Sequence, residues 1–508
     1  MSHQSFTNGR DMKAFIRFAT ACALFLVHYC KATDQHSVII VGAGSSGIAA
    51  ATKLLENNFT DFIILEAENR IGGRIFTVPF GNGLVDLGAQ WCHGQKDNIV
   101  YEIVKDLDVL KVDDVNSITH LYTKFSVDKN TSDTVNRLFE SIYENMEEDP
   151  NAASLHDYFV KRYNNSINEL YSDKPEILQY AKDATNLYLG AICSLESSFD
   201  VSDISTQSEY QICEGDQSLQ WNGKGYKIFL DILMKKYPNP NESLPIDDKI
   251  LLNKEVTNIN WQNSFQPNSS KSEVKCSNGE VYYANHVIVT VSLGVLKENG
   301  STMFTPKLPN EKIKAIDDIG FGAVMKIYLL YEEKWWPENL GSLSFVWSEE
   351  ERERLKHEGL RWYLNILSLI TIKGNENVVC LWIAGQDVPK IENLTDGEVL
   401  SGIKYVSDLF LKPKYRNVTK PSKILRTKWL SYPHFRGTYS YDSVKMRKNK
   451  ISRGDLSEPL IHPVTNEPVV LFAGEAMNRY HYSTVHGATE TGFREAERIL
   501  QIYKKNVF

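Results

Sequence analysis

The stretch from Ser37 to Glu66 constrains the fold more than any other, because a glycine fingerprint stands there in the setting it requires. Ser37-Val38-Ile39-Ile40-Val41 reads as a short buried strand and runs directly into Gly42-Ala43-Gly44-Ser45-Ser46-Gly47. An alanine-rich, helix-forming run from Ile48 to Leu55 follows, then a second apolar strand, Phe62-Ile63-Ile64-Leu65, ending on Glu66. In such a βαβ unit Gly42 makes the tight turn, Gly44 lets backbone approach a pyrophosphate, and Gly47 permits close helix packing. The helix N-terminus offers phosphates its unpaired N–H groups and the positive end of a dipole. Glu66 lies nineteen residues past Gly47, where a carboxylate at a strand tip binds ribose hydroxyls. Together these features predict an α/β chain with a Rossmann-like dinucleotide-binding domain.

Beyond that acid, Glu66-Ala67-Glu68-Asn69-Arg70-Ile71-Gly72-Gly73-Arg74 forms a glycine-rich loop with two arginines. The bland reading is a surface turn. The run resembles the ExxxRxGGR extension of the flavin-containing amine oxidase superfamily, which implies FAD as cofactor. It sets the loop against the pyrophosphate, with Arg74 as a forked donor. Val85-Asp86-Leu87-Gly88-Ala89-Gln90-Trp91-Cys92-His93-Gly94 resembles the DxGAxWxHG segment of polyamine oxidases. By that resemblance the backbone near Ala89, Gln90 and Trp91 approaches the flavin ring, and His93 faces the substrate. A lone histidine is otherwise a structural residue.

Residues 96–240 read as helical and polar, with little strand signal, and resemble an inserted substrate domain. A β pattern resumes at Ile250–Trp261, and the runs on either side of Asn278-Gly279 read as a hairpin. The resemblance puts Val256 where backbone contacts the cofactor's adenine side; the alternative is a plain core valine. In Ile319–Tyr331, Lys326 interrupts an apolar strand. Either it sits on the solvent face, or it is a buried ammonium that needs partners. The resemblance assigns it a catalytic role, holding a water beside the flavin N5. In Tyr432-Pro433-His434-Phe435-Arg436-Gly437-Thr438-Tyr439, Thr438 stands where monoamine oxidases carry the cysteine that bonds flavin, so FAD is expected to be non-covalent. Tyr439 would form one wall of an aromatic cage. Gly474-Glu475 and Tyr482-Ser483-Thr484-Val485-His486-Gly487-Ala488 resemble the C-terminal FAD signature, nearest in wording to animal spermine and acetylpolyamine oxidases. There Glu475 lies near the ribityl or pyrophosphate region, and Thr484 and Val485 face the flavin's pyrimidine end. Thr484 replaces the second cage aromatic of the monoamine enzymes, leaving Tyr482 as the substitute.

The expected organisation is a discontinuous FAD-binding domain (34–95, 245–310 and 455–508) and a discontinuous α+β substrate-binding domain (96–244 and 311–454). Residues 1–32 read as a signal peptide, with a basic start, the apolar stretch Phe18–Val27 and a cleavage site near Ala32; an uncleaved anchor is the alternative. Asn58, Asn130, Asn164, Asn241, Asn268, Asn299, Asn393 and Asn417 each begin an Asn-x-Ser/Thr triplet. A secreted glycoprotein without a stable membrane span is therefore expected. Five cysteines follow residue 32, too few and odd in number for a disulfide scaffold, with Cys193–Cys213 the one plausible bridge. No CxxC or His/Cys cluster in the sequence points to a metal.

Formal charge is −8 for the chain and −11 without its first 32 residues. That balance disfavours nucleic acid and suits a cationic substrate. The resemblance implies oxidation of a secondary amine in spermine, spermidine or their acetyl derivatives. The products are an imine, hydrolysed to an aminoaldehyde and a smaller amine, and hydrogen peroxide from molecular oxygen. Glu209 and Glu214 are candidates to hold distal ammonium groups, against the alternative of solvated carboxylates. Two other readings stay open: an L-amino acid oxidase, which needs a cavity arginine, and a secreted flavin-binding protein without turnover. Oligomeric state is not legible.

Overall fold

The computed structural model describes residues 35–112, 118–146, 149, 151–262 and 271–505. The expected signal segment, residues 1–32, and Asn268 lie outside the described residues. Strand β1 (Gln35–Val41) is fully buried from Val38 onward, as a parallel strand covered on both faces must be. Helix α1 (Ser45–Glu56) starts three residues before the alanine run, with Gly44 as an N-cap that makes no side-chain capping bond. Strand β2 (Phe62–Leu65) returns parallel to β1. The glycines meet their geometric demands: Gly42 has φ +106°, and a Cβ on Gly47 would lie 2.0 Å from the Gly42 carbonyl oxygen. Gly47 thus serves the turn as well as helix packing.

Strands β3 (Thr77–Phe80) and β4 (Gly83–Asp86) form an antiparallel hairpin. The region read as helical with little strand signal contains, among the described residues, one strand, β5 (Ile118–Tyr122), which pairs parallel with a strand more than two hundred residues away. It is too short and too polar for its alternation to show. Helices α2 (Lys129–Glu144), α3 (Leu155–Tyr171) and α4 (Pro175–Glu196) follow. They pack through an aromatic core in which Phe139 stacks on Tyr188 with ring centres 4.5 Å apart.

The chain then re-enters the first sheet with β6 (Ile250–Leu251), β7 (Val256–Asn260), β8 (Ser272–Cys276), β9 (Val281–Val289) and β10 (Phe304–Thr305). β8 and β9 form the hairpin around Asn278-Gly279. The run Ile319–Tyr331 is not one strand. It breaks into β11 (Gly320–Phe321) and β12 (Met325–Leu330), because Gly322 passes so close to Ser197 that a Cβ there would sit 2.1 Å from its carbonyl oxygen. β13 (Ser342–Val346), β14 (Ile366–Thr371), β15 (Val378–Ile383) and β16 (Lys423–Arg426) complete a second sheet, ordered β16-β12-β15-β14-β13-β5. Trp335 and Trp336 are buried in the core on that sheet.

β17 (Ser440–Tyr441) pairs with β11; β18 (Leu460–Ile461) and β19 (Pro468–Phe472) close the first sheet. Its path is β10-β7-β8-β9-β1-β2-β6, and β9 is long enough to pair with β8 near its start and β19 near its end. Helix α5 (Val485–Lys505) lies on α1: a Cβ on Gly492 would meet the Ser46 carbonyl oxygen at 2.1 Å. Among the described residues all five cysteines are free and buried. The expected Cys193–Cys213 bridge is therefore absent; Cys193 is buried in the helical core at α4, whereas Cys213 faces two histidines. Among the described residues no helix is long and apolar enough to cross a membrane.

Gly47→Ala is expected to push the fingerprint turn apart, destabilising the fold by about 1–3 kcal/mol and lowering FAD content. Urea denaturation and the flavin-to-protein absorbance ratio measure the two effects.

Candidate active site

One cavity of about 1310 Å³ runs from the fingerprint turn to the second sheet. That exceeds the space a single small ligand needs, roughly 300–1,000 Å³, and suits a dinucleotide together with a substrate. Gly42, Gly44, Glu66, Arg74, Ala89, Gln90, Trp91, His93, Val256, Lys326, Tyr439, Gly474, Glu475, Tyr482, Thr484 and Val485 all line it. Gly47 lies behind the wall.

At the fingerprint end, Gly72 bonds back to the turn through its N–H to Ala43 O at 2.8 Å. Gly73 brings its backbone beside Gly44, where a Cβ would lie 3.3 Å from the Gly44 Cα. Glu66 accepts the N–H of Ala43 at 2.6 Å and of Glu68 at 2.8 Å. Burial pushes its pKa up, against those bonds and the nearby Arg70 charge. Ser46 Oγ is buried on the cavity wall without a protein partner, at a helix end that no side chain caps. A bare helix N-terminus, an orphaned hydroxyl and an acid at the strand tip are the donor and acceptor set of a dinucleotide. The residues present fit FAD.

Arg74 Nη1 donates to Thr438 O at 2.5 Å and to Glu475 Oε1 at 3.0 Å, so one arm of its fork is tied to protein while the residue lines the cavity. Glu475 also accepts Ser440 Oγ at 2.7 Å and Ser483 N–H at 2.9 Å. Burial works to raise the Glu475 pKa, but Arg74, Ser440 and Arg453 outweigh it and hold the carboxyl below its ordinary value. Gly474, at φ +135°, sets that carboxylate on its turn. Thr484 Oγ1 accepts the N–H of Gly487 at 2.9 Å, so the first turn of α5 is capped from the cavity wall.

Lys326 lies on β12 and is 4% exposed, which removes the solvent-face alternative. Its Nζ donates to Asp86 O at 3.0 Å, Gly88 O at 2.8 Å and Gln90 Oε1 at 2.8 Å. Three donors meet three acceptors, and Gln90 is the only side chain among them. Burial draws the pKa down to about 8, opposed by Cys380 and Asp86. The ammonium also sits 4.9 Å from the Trp382 ring centre and 5.8 Å from that of Trp91. Trp382 was not legible as a site residue. It reaches the cavity because β12 and β15 pair Lys326 with Trp382 directly.

His93 Nδ1 bonds the Gln217 carbonyl at 2.6 Å, which leaves Nε2 as the acceptor of a neutral ring. Burial lowers its pKa despite that bond. Tyr439 donates to Ser194 O at 2.5 Å. Tyr482 is bonded to Ser208 Oγ at 2.6 Å, and the Arg453 guanidinium covers one ring face at 3.5 Å. Tyr482 therefore presents little free surface as a second cage wall. Thr438, at the position of the monoamine enzymes' cysteine, bonds Ser197 Oγ at 2.6 Å and accepts the Val324 N–H at 3.1 Å.

The structure does not bring Glu209 or Glu214 into the cavity. Glu209 pairs with Arg479 at 2.7 Å, and Glu214, largely exposed, pairs with Lys96 at 2.9 Å. Cations of the protein itself occupy both. Besides Glu66, Glu255 and Glu475, the acids on the cavity wall are Glu140 and Glu144 of α2 and Glu196 at the end of α4. Glu196 accepts the Tyr143 hydroxyl at 2.5 Å, and burial pushes its pKa up. Its only sequence signal, an acid at a helix C-terminus, runs against the dipole, and nothing local says which way it faces.

The chain matches the family model "Flavin containing amine oxidoreductase" over residues 45–500. It belongs to that family and is an FAD-dependent amine oxidase that holds its flavin non-covalently. Among curated proteins it is 29% identical to the human "Peroxisomal N(1)-acetyl-spermine/spermidine oxidase", over 92% of this chain and 96% of that one. It is also 29% identical to "Probable polyamine oxidase 5" of Arabidopsis thaliana, over 92% of this chain and 99% of the other. A wild-type putrescine oxidase structure superposes with TM-score 0.63 at 18% identity, over 92% of this chain and 99% of that one, which agrees in fold.

Because the folded-state pKa of Lys326 lies below its ordinary 10.5, the penalty of burying the ammonium is full below pH 8 and fades as the group deprotonates. Wild-type stability relative to Lys326→Met should therefore rise between about pH 8 and 10, by up to about 1.4 kcal/mol per pH unit. Chemical denaturation of both proteins across that range measures the slope.

Proposed function

We propose that this amine oxidase acts on polyamines, oxidising a secondary amine to an imine that hydrolyses to an aminoaldehyde and a smaller amine. The observation that carries this reading is the set of acids in the cavity: Glu140 and Glu144 exposed on α2, and Glu196 half-buried at the end of α4. A substrate with several ammonium groups gains from carboxylates spaced along its path; a monoamine uses at most one. The named polyamine oxidases among the relatives support the same reading.

When bound, FAD accepts the hydride equivalent from the carbon next to nitrogen and passes the electrons to oxygen, giving hydrogen peroxide. Glu196, uncharged or charged in the resting site, becomes a carboxylate when a distal ammonium pairs with it. His93 Nε2 is available to accept a hydrogen bond from an amine N–H. The Tyr439 ring bounds the cavity where its hydroxyl is anchored to α4. Lys326, near pH 8, can lose a proton and with it the bond to Gln90, freeing Nζ to hold a water and take its proton during imine hydrolysis. Trp91 and Trp382 keep bulk water from that amine.

An L-amino acid oxidase is the second reading. Among the described cavity residues the one arginine is Arg74, already bonded to Glu475 and Thr438, which disfavours capture of a substrate carboxylate. Stopped-flow flavin reduction by spermine, spermidine, N-acetylspermine and a neutral L-amino acid separates the two. Polyamines should reduce the flavin and the amino acid should not. The reacting amine must be uncharged, so the rate should climb from neutral toward alkaline pH, where aliphatic amines of pKa about 10 titrate. Glu196→Gln should raise the polyamine KM by about 10-fold or more, the worth of one partly buried charge contact, while leaving a simple secondary amine little affected. A rate flat across this pH range, or an amino acid that outruns spermine, would refute the assignment.

We further propose that the protein enters the secretory route, supported by the leader-like residues 1–32 and by exposed sequon asparagines at Asn58, Asn130, Asn241, Asn393 and Asn417. The named human relative is peroxisomal, so the two chains would differ in compartment. Expression in animal cells should deliver the protein to the medium, with a gel-mobility shift on peptide N-glycosidase treatment. Retention in cells without such a shift would overturn this.

A further inference from the structure

Behind the cavity wall, three side chains from distant parts of the chain converge on one point. Cys213 Sγ lies 3.8 Å from His481 Nε2 and 3.7 Å from His486 Nε2, and the three atoms are mutually within 4.8 Å. Cys213 is 3% exposed and His486 2%. None of the three lines the cavity or has a part in the chemistry above.

A thiol has one proton to donate, yet two imidazole Nε2 atoms face this one sulfur. Both rings thus present Nε2 to a single sulfur, a convergence of one thiol and two imidazoles. His481 Nδ1 bonds the Glu490 carboxylate at 2.9 Å; this fixes the ring and turns the Nε2 lone pair toward Cys213. A carboxylate behind a histidine is the arrangement that orients metal-ligating imidazoles. Spacing agrees as well. With Zn–S of about 2.3 Å and Zn–N of about 2.0 Å at tetrahedral angles, sulfur and nitrogen ligands stand roughly 3.5 Å apart. The two sulfur–nitrogen separations need only a few tenths of an ångström of contraction, and the two nitrogens, within 4.8 Å of each other, close by a small turn of the rings.

We propose that Cys213, His481 and His486 form a binding site for one Zn²⁺ per chain, with the fourth position taken by water. On binding, Cys213 releases its proton and ligates as the thiolate. The ion would join the 210–217 loop to the start of α5. Through Gly94, where a Cβ would meet Cys213 O at 2.2 Å, it would also brace the loop that carries His93. The site thus steadies two walls of the cavity without touching the flavin or the substrate.

The test uses holoenzyme treated with a chelator and checked for full flavin absorbance. Zinc uptake is then followed by calorimetry and by elemental analysis of the washed protein. One zinc per chain is expected, and Co²⁺ in its place should give a sulfur-to-metal charge-transfer band. Glu490→Gln should weaken binding about 10- to 100-fold, and Cys213→Ser should weaken it further and abolish the cobalt band. Should a variant lose its flavin, the cobalt spectrum of the wild-type holoenzyme decides alone: a thiolate band upholds the site and its absence refutes it. Wild-type protein that takes up no zinc, or Cys213→Ser that binds as tightly as wild type, would equally refute it.

Discussion

The buried carboxylate of Glu475 is the interaction on which the rest of the site depends. It is satisfied by Arg74 from the glycine-rich loop, by Ser440 from β17 and by the Ser483 N–H just before α5. Those groups come from three segments separated by up to four hundred residues. A buried charge left unpaired costs several kcal/mol, so the three segments must close together or not at all. Their closure builds the cavity's floor. Arg74 commits its Nη1 to this knot while the residue lines the cavity.

Lys326 plays the corresponding part where the two sheets meet. Its strand belongs to the second sheet, whereas its acceptors Asp86 O, Gly88 O and Gln90 Oε1 lie just past the β3–β4 hairpin. Tyr328 from the same strand also donates to Asp86 O, at 2.6 Å. An ammonium can be buried only where carbonyls are already held in place for it. The lysine and the backbone bend at Gly88 therefore depend on each other: a Cβ at Gly88 would lie 1.8 Å from Arg74 O. Burial of the lysine and docking of its strand against the β3–β4 hairpin draw on the same contacts.

Much of this was legible beforehand. The βαβ unit and the Asn278-Gly279 hairpin announce themselves through local backbone demands: positive-φ glycines, apolar runs and alternation. Most of the residues those motifs single out line the one large cavity. Other features escaped for identifiable reasons. The run around Lys326 reads as one strand, but close approach of Ser197 to Gly322 divides it. Glu209 and Glu214 look free in sequence, yet Arg479 and Lys96 fold over to neutralise them. Glu196 and Trp382 enter the cavity only because a helix ends there and two strands pair in one register.

By itself the sequence determined the dinucleotide cradle, the family's cofactor and the presence of an interrupting lysine, since each rests on residues within a few positions of one another. Tertiary structure alone decided which acids line the cavity, that Cys193 and Cys213 stay apart, and that Cys213 meets His481 and His486 across more than 260 residues. The physical reason is range. Turn geometry and strand periodicity act between neighbours along the chain, whereas charge pairing and ligand convergence act through space, and their partners exist only once the sheets have closed.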